Sequence, residues 1–112
     1  MAPQTSPDTV LLCYCSCPDS VSAQAIAETL VNERLAACVN RLGGISSTYR
    51  WQGTVTTDRE ELLLIKTTTG RLDALKTRLL ALHPYELPEL IAVAVEFGHP
   101  AYLDWVRQNV GD

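Results

Sequence analysis

Two hydrophobic periods alternate along this chain, and each change of period marks an element. Val10-Leu11-Leu12-Cys13-Tyr14-Cys15, within Thr9 to Ser16, contains no helix breaker and predicts a buried strand. Pro18 and Asp19 punctuate it, and Asp19 or Ser20 is placed to cap a helix by accepting a bond from a free backbone N–H. In that helix, which runs to about Leu35, Ala23, Ile26, Ala27, Leu30 and Val31 share one face. A second extended segment begins at Ala37 to Asn40 and is broken by Gly43-Gly44. It resumes with Ile45, Tyr49 and Trp51 on one side. Gln52-Gly53 predicts a tight turn, since glycine accepts positive φ at little cost. The return strand from Val55 has its apolar centre at Leu62 to Ile65, and its polar start predicts a hairpin that projects beyond the core. Leu72, Leu75, Leu79 and Leu82 define a second helix, stopped by His83-Pro84 because the residue before proline leaves the α region. Leu90 to Phe97 predicts a fourth strand. Pro100 opens a last helix with Tyr102, Trp105 and Val106 expected inward.

The order β-α-β-β-α-β plus a C-terminal helix is the split-βαβ, or ferredoxin-like, plan of an α+β protein. It implies an antiparallel sheet in the order 4-1-3-2 with both helices on one face. The other face carries apolar side chains that one short helix cannot cover. A bare apolar face of that extent marks an interface, so the chain is expected to oligomerise. Its 112 residues suit one domain, read as 9–112 behind a short disordered tail, 1–8.

Composition narrows the partners. Apolar residues make up 46% of the chain, enough for a core, and the net charge of −4 gives nucleic acid no electrostatic footprint. No basic run suits an anionic membrane surface. Apolar runs such as Leu90 to Val95 fall far short of the ~20 residues of a membrane helix. The start, MAPQTSPDT, lacks the basic residues of a signal peptide. A cytoplasmic location is therefore expected, with the four cysteines as thiols.

Candidate chemistry centres on a few side chains. Cys13, Cys15 and Cys17 point to one face of a strand, about 7 Å apart per step. A flat strand cannot gather such thiols around one ion at ~2.3 Å, so two meet only if the strand end bends near Ser16 to Pro18. Otherwise they are small packed residues, as Cys38 also reads. His83 is either a helix-end histidine bonded to a carbonyl or a metal ligand. Glu61, Glu86 and Glu89 with Lys66 either converge on a pocket or form a solvated cluster. No nucleophile–base pair, P-loop, dinucleotide fingerprint or G-x-S-x-G motif is legible, so an enzyme is not expected.

Several segments together resemble one family: Glu33 to Asn40 (ERLAACVN), Tyr49 to Gly53 (YRWQG), Leu64 to Thr67, His83 to Glu89 (HPYELPE) and Tyr102 to Trp105. In order and without a large gap from about 9 to 110, they are similar to the CutA divalent-cation tolerance family. That resemblance implies a ferredoxin-like subunit, a homotrimer joined through its long hairpins, and copper or another divalent metal as partner. It places proposed metal ligands on Cys15 and His83. Some members carry a second histidine where this chain has Leu82, and Cys17 is an extra thiol that compensates on one reading. The alternative is a non-catalytic trimeric sensor or scaffold. Its inter-subunit clefts would gather Trp51, Glu61, Lys66, Glu86 and Glu89 around a small anionic or zwitterionic ligand.

Overall fold

A computed structural model describes residues 6–111. Its elements are β1 (Val10–Cys17), α1 (Ser20–Asn32), β2 (Cys38–Trp51), β3 (Thr54–Thr68), α2 (Thr69–Leu82), β4 (Ile91–Ala94) and α3 (Pro100–Gln108). The sheet order is β2-β3-β1-β4, and each observed pairing is antiparallel. This is the predicted ferredoxin-like plan. Of the segment read as a tail, 1–5 lies outside the described residues. Ser6–Asp8 form a turn: Pro7 O accepts the Gly70 N–H at 3.0 Å, and Asp8 O accepts Arg107 Nε at 2.8 Å.

Alternation sets the two faces of the sheet. Odd positions of β1 and β3, including Cys13, Cys15, Cys17, Leu63 and Ile65, pack fully buried against Ala23, Ile26 and Leu30 of α1 and Leu75 and Leu79 of α2. Even positions, Leu12, Tyr14, Leu62 and Leu64, face the other way and are only half-buried. Val93 pairs with Leu12 and Ile91 with Tyr14, extending that second face to the edge strand, where both are exposed. The third helix covers only one end of it, through Val106 against Val10 and Ala37.

A bulge changes the alternation in β2. Leu42 pairs with Leu62 but Ile45 pairs with Glu60, so β2 carries one extra residue at Gly43-Gly44. Gly44 has φ 73, a conformation that glycine adopts without strain. Before the bulge the even residues of β2 share the face of Leu62 and Leu64; after it the odd ones do. Ser47, Tyr49 and Trp51 are thereby turned onto the less covered face beside Glu60.

Three sequence expectations need revision. The first helix ends at Asn32, not near Leu35, because Arg34 takes a left-handed conformation (φ 59), and the Leu35 and Ala36 N–H groups both bond Leu30 O. The last strand is Ile91–Ala94 instead of Leu90 to Phe97, and Phe97 is exposed. Tyr102 and Trp105 do not point inward. They stack on each other at 5.7 Å and stay exposed, while Leu103 and Val106 pack against the core.

Candidate metal centre and adjoining cavity

The end of β1 and the loop after α2 bring three soft donors together. Cys15 and Cys17 leave the same face of β1, and His83 follows the last residue of α2 where Pro84 stops the helix. Ligand atoms of Cys15, Cys17 and His83 lie within 4.8 Å of one another, and all three residues are buried. Two sulfurs each about 2.3 Å from one ion are at most about 4.6 Å apart, so the thiols fit a shared ion with little movement. The Cys15 thiol donates to Ser16 O at 3.7 Å and lies beside the Cys17 sulfur. The neighbouring Cys17 thiol, together with burial, holds Cys15 far above the usual thiol value, while the same contact lowers Cys17 against its own burial. Cys17 is thus the first of the pair to give up its proton. Cys13, one step back, is buried in the core, and burial raises it to about 11.

His83 is already engaged at both ring nitrogens. Its Nε2 lies 2.8 Å from Ser16 O, which can only accept, so the ring hydrogen sits on Nε2. Its Nδ1 accepts the Tyr85 N–H at 3.1 Å. The imidazole therefore clamps the loop onto the end of β1, and it enters a coordination sphere only by giving up one of these bonds. The two sequence readings of this residue meet here: it does bond a carbonyl, and it does lie beside the thiols.

Ser16 divides this dry cluster from a cavity on the opposite face. The cavity, about 600 Å³, opens between the β2–β3 hairpin and the loop carrying Tyr85, Glu86, Leu87 and Glu89. Glu60 lines it, is 7% exposed, and accepts the Tyr85 hydroxyl at 2.6 Å. Burial and that bond push the Tyr85 phenol up. Ser16 Oγ donates to Glu89 Oε1 at 3.2 Å.

Of the five residues expected in a pocket, Trp51, Glu86 and Glu89 line this cavity. Within one chain Glu61 and Lys66 lie elsewhere. Glu61, an odd residue of β3, is on the helix-covered face, where Arg41 pairs with it at 3.3 Å and Ser20 donates to it. Lys66 is far along β3, bonded to Asn40 and 3.8 Å from Cys38 Sγ. Sequence reasoning missed Glu60 and Tyr85. The signal for Glu60 was the Gly43-Gly44 pair, read as a break and not as a bulge that turns Trp51 onto the face of Glu60.

Fold and site define a ferredoxin-like α+β domain with a buried dithiol–imidazole cluster at the end of its first strand. Residues 11–109 match the family described as CutA1 divalent ion tolerance protein. The chain belongs to that family. It is 53% identical over 94 residues to the divalent-cation tolerance protein CutA of Thermus thermophilus, covering 84% of this chain and 91% of that one. A crystal structure of CutA from Xylella fastidiosa superposes with a TM-score of 0.90 at 52% identity, covering 92% of this chain and 99% of that chain. Protein CutA of Mus musculus is 43% identical over 102 residues, 91% of this chain but 58% of that protein. The chain thus spans little more than half the length of that relative.

Proposed function

We propose that this protein is a homotrimer that binds copper, as Cu(I), at the Cys15–Cys17 pair beside His83 and so takes part in the cytoplasmic response to metal ions. The observation that carries the reading is the convergence of those three donors in one buried site. Two thiolates form a soft ligand set that favours Cu(I), and an imidazole adds a borderline donor. The family's description as divalent ion tolerance proteins supports a role in metal handling. Four free cysteines, three of them buried, accord with a reducing compartment. The exposed side chains of Ile91, Val93, Tyr102 and Trp105 support assembly. The protein acts by binding and not by turnover, as the lack of catalytic motifs in its sequence suggests.

Titration with Cu(I) against a chromogenic chelator tests the site. The expected result is one ion per chain. Cys15→Ser and Cys17→Ser each weaken binding by about 100-fold or more, and His83→Ala by roughly 10-fold. Unchanged affinity in both thiol variants would refute the site. Light scattering tests the assembly independently, with three chains of 12.3 kDa expected per particle.

A further inference from the structure

We propose that the cavity over Ser16 binds a small organic cation, an amine or guanidinium compound, whose charge rests on Glu60. At about 600 Å³ the cavity has the size of a small-molecule site. The decisive group is Glu60 itself. A carboxylate buried to this degree is ordinarily matched by a cation, because taking the charge out of water without compensation is costly. Glu61, the next residue and also largely covered, follows that pattern and is met by Arg41. Among the described residues no Lys, Arg or His forms an ion pair with Glu60. Its Oε2 accepts the Tyr85 hydroxyl, and among the described residues no hydrogen bond to its Oε1 is found.

The rest of the lining fits the same ligand class. Glu86 and Glu89 add two more carboxylates, against one guanidinium, Arg50. Arg50 does not answer Glu60, since its Nη1 donates to Gly53 O at 3.4 Å at the hairpin tip. Tyr49, Trp51 and Tyr85 supply the aromatic faces over which a cation is attracted by the ring quadrupole. Lys66, expected in the pocket from the sequence, sits far along β3 and does not line this cavity within its own chain. The inference stands apart from the metal reading. The two sites lie on opposite faces of β1 and use different donors.

Calorimetry on the full-length protein, in its native assembly, tests this with spermidine, agmatine and choline, and with glutamate and citrate as anionic controls at matched ionic strength. At least one cation is expected to bind once per chain with a Kd below about 1 mM, and the anions not at all. Glu60→Gln should weaken that binding roughly tenfold or more, and the exposed Glu86→Gln, which leaves the fold intact, by a few-fold. If Glu60→Gln fails to fold, Glu86→Gln and Trp51→Ala carry the test, and both must weaken the cation. Equal binding of anions, binding that survives all these substitutions, or no cation binding would overturn the proposal. So would a Glu60→Gln protein that loses its assembly while the parent binds no cation, since a neighbouring copy would then supply the missing charge.

Discussion

On the face of the sheet under α1 and α2, Cys13, Cys15, Leu63 and Ile65 have no contact with solvent. Their immediate sequence neighbours Tyr14, Leu62 and Leu64 are just as apolar or nearly so, yet they stay half-buried on the opposite face, and Val93 beside them is 49% exposed. The strands are the same; only the cover differs. Full burial of one large aliphatic side chain contributes roughly 1.5–3 kcal/mol. The covered face has realised that stabilisation within the chain, and the other face has not.

The sharpest break of this comparison is a truncation on the covered side. Leu79→Ala should cost about 2–5 kcal/mol in urea unfolding, whereas its exposed neighbour Leu80→Ala should cost far less. Equal losses would mean that the two faces are not energetically distinct. On the other side, Val93→Asp should leave far-UV circular dichroism unchanged and reduce the scattering mass to a single 12.3 kDa chain. A full-sized assembly would show that this face is not the junction. The smallest effect concerns the cover itself. Asp19 Oδ1 accepts the Ser22 N–H at 2.8 Å at the start of α1, which holds its carboxyl below the ordinary value of 3.8. A depressed value means that the contribution is complete above pH 3.8 and is lost as pH falls through the folded-state value. Thermal melts should therefore show Asp19→Ala slightly less stable near pH 7, and indistinguishable from the parent once the folded-state carboxyl is protonated.

Much of the covered face was legible because it is written in local periodicity. Ile26 and Leu30, or Leu75 and Leu79, declare a helix face without reference to anything else. The end of α1 was less legible, since nothing in Glu33-Arg34-Leu35 announces a left-handed residue. Arg34 is held there by distant partners, donating to Gly111 O at 2.6 Å and Gln108 O at 2.9 Å. The inward reading of Tyr102 and Trp105 failed for a similar reason. Their spacing marks a shared face, but which face of a short terminal helix meets the core depends on how it docks. At the site, His83 and the cysteines of β1 were candidates on their own chemistry, and the family likeness singled out Cys15 with His83. The nearness of Cys17 depends on how the strand end meets the loop after α2, which spacing alone cannot give. Glu60 and Glu61 are adjacent letters with opposite surroundings, and only register tells them apart.

Because side-chain direction in a strand is a parity, the extra residue at Gly43-Gly44 works like a frameshift in a message read two letters at a time. Losing one glycine would remove the bulge and leave every ladder pair in place, so Tyr49 and Trp51 would keep the face of Glu60. Losing both would put Ile45 opposite Glu61, and a regular ladder would then turn Tyr49 and Trp51 away from Glu60. Chain length in this stretch is thus a switch for what the cavity is made of: the bulge absorbs the loss of one residue, and the loss of a second rewrites the lining.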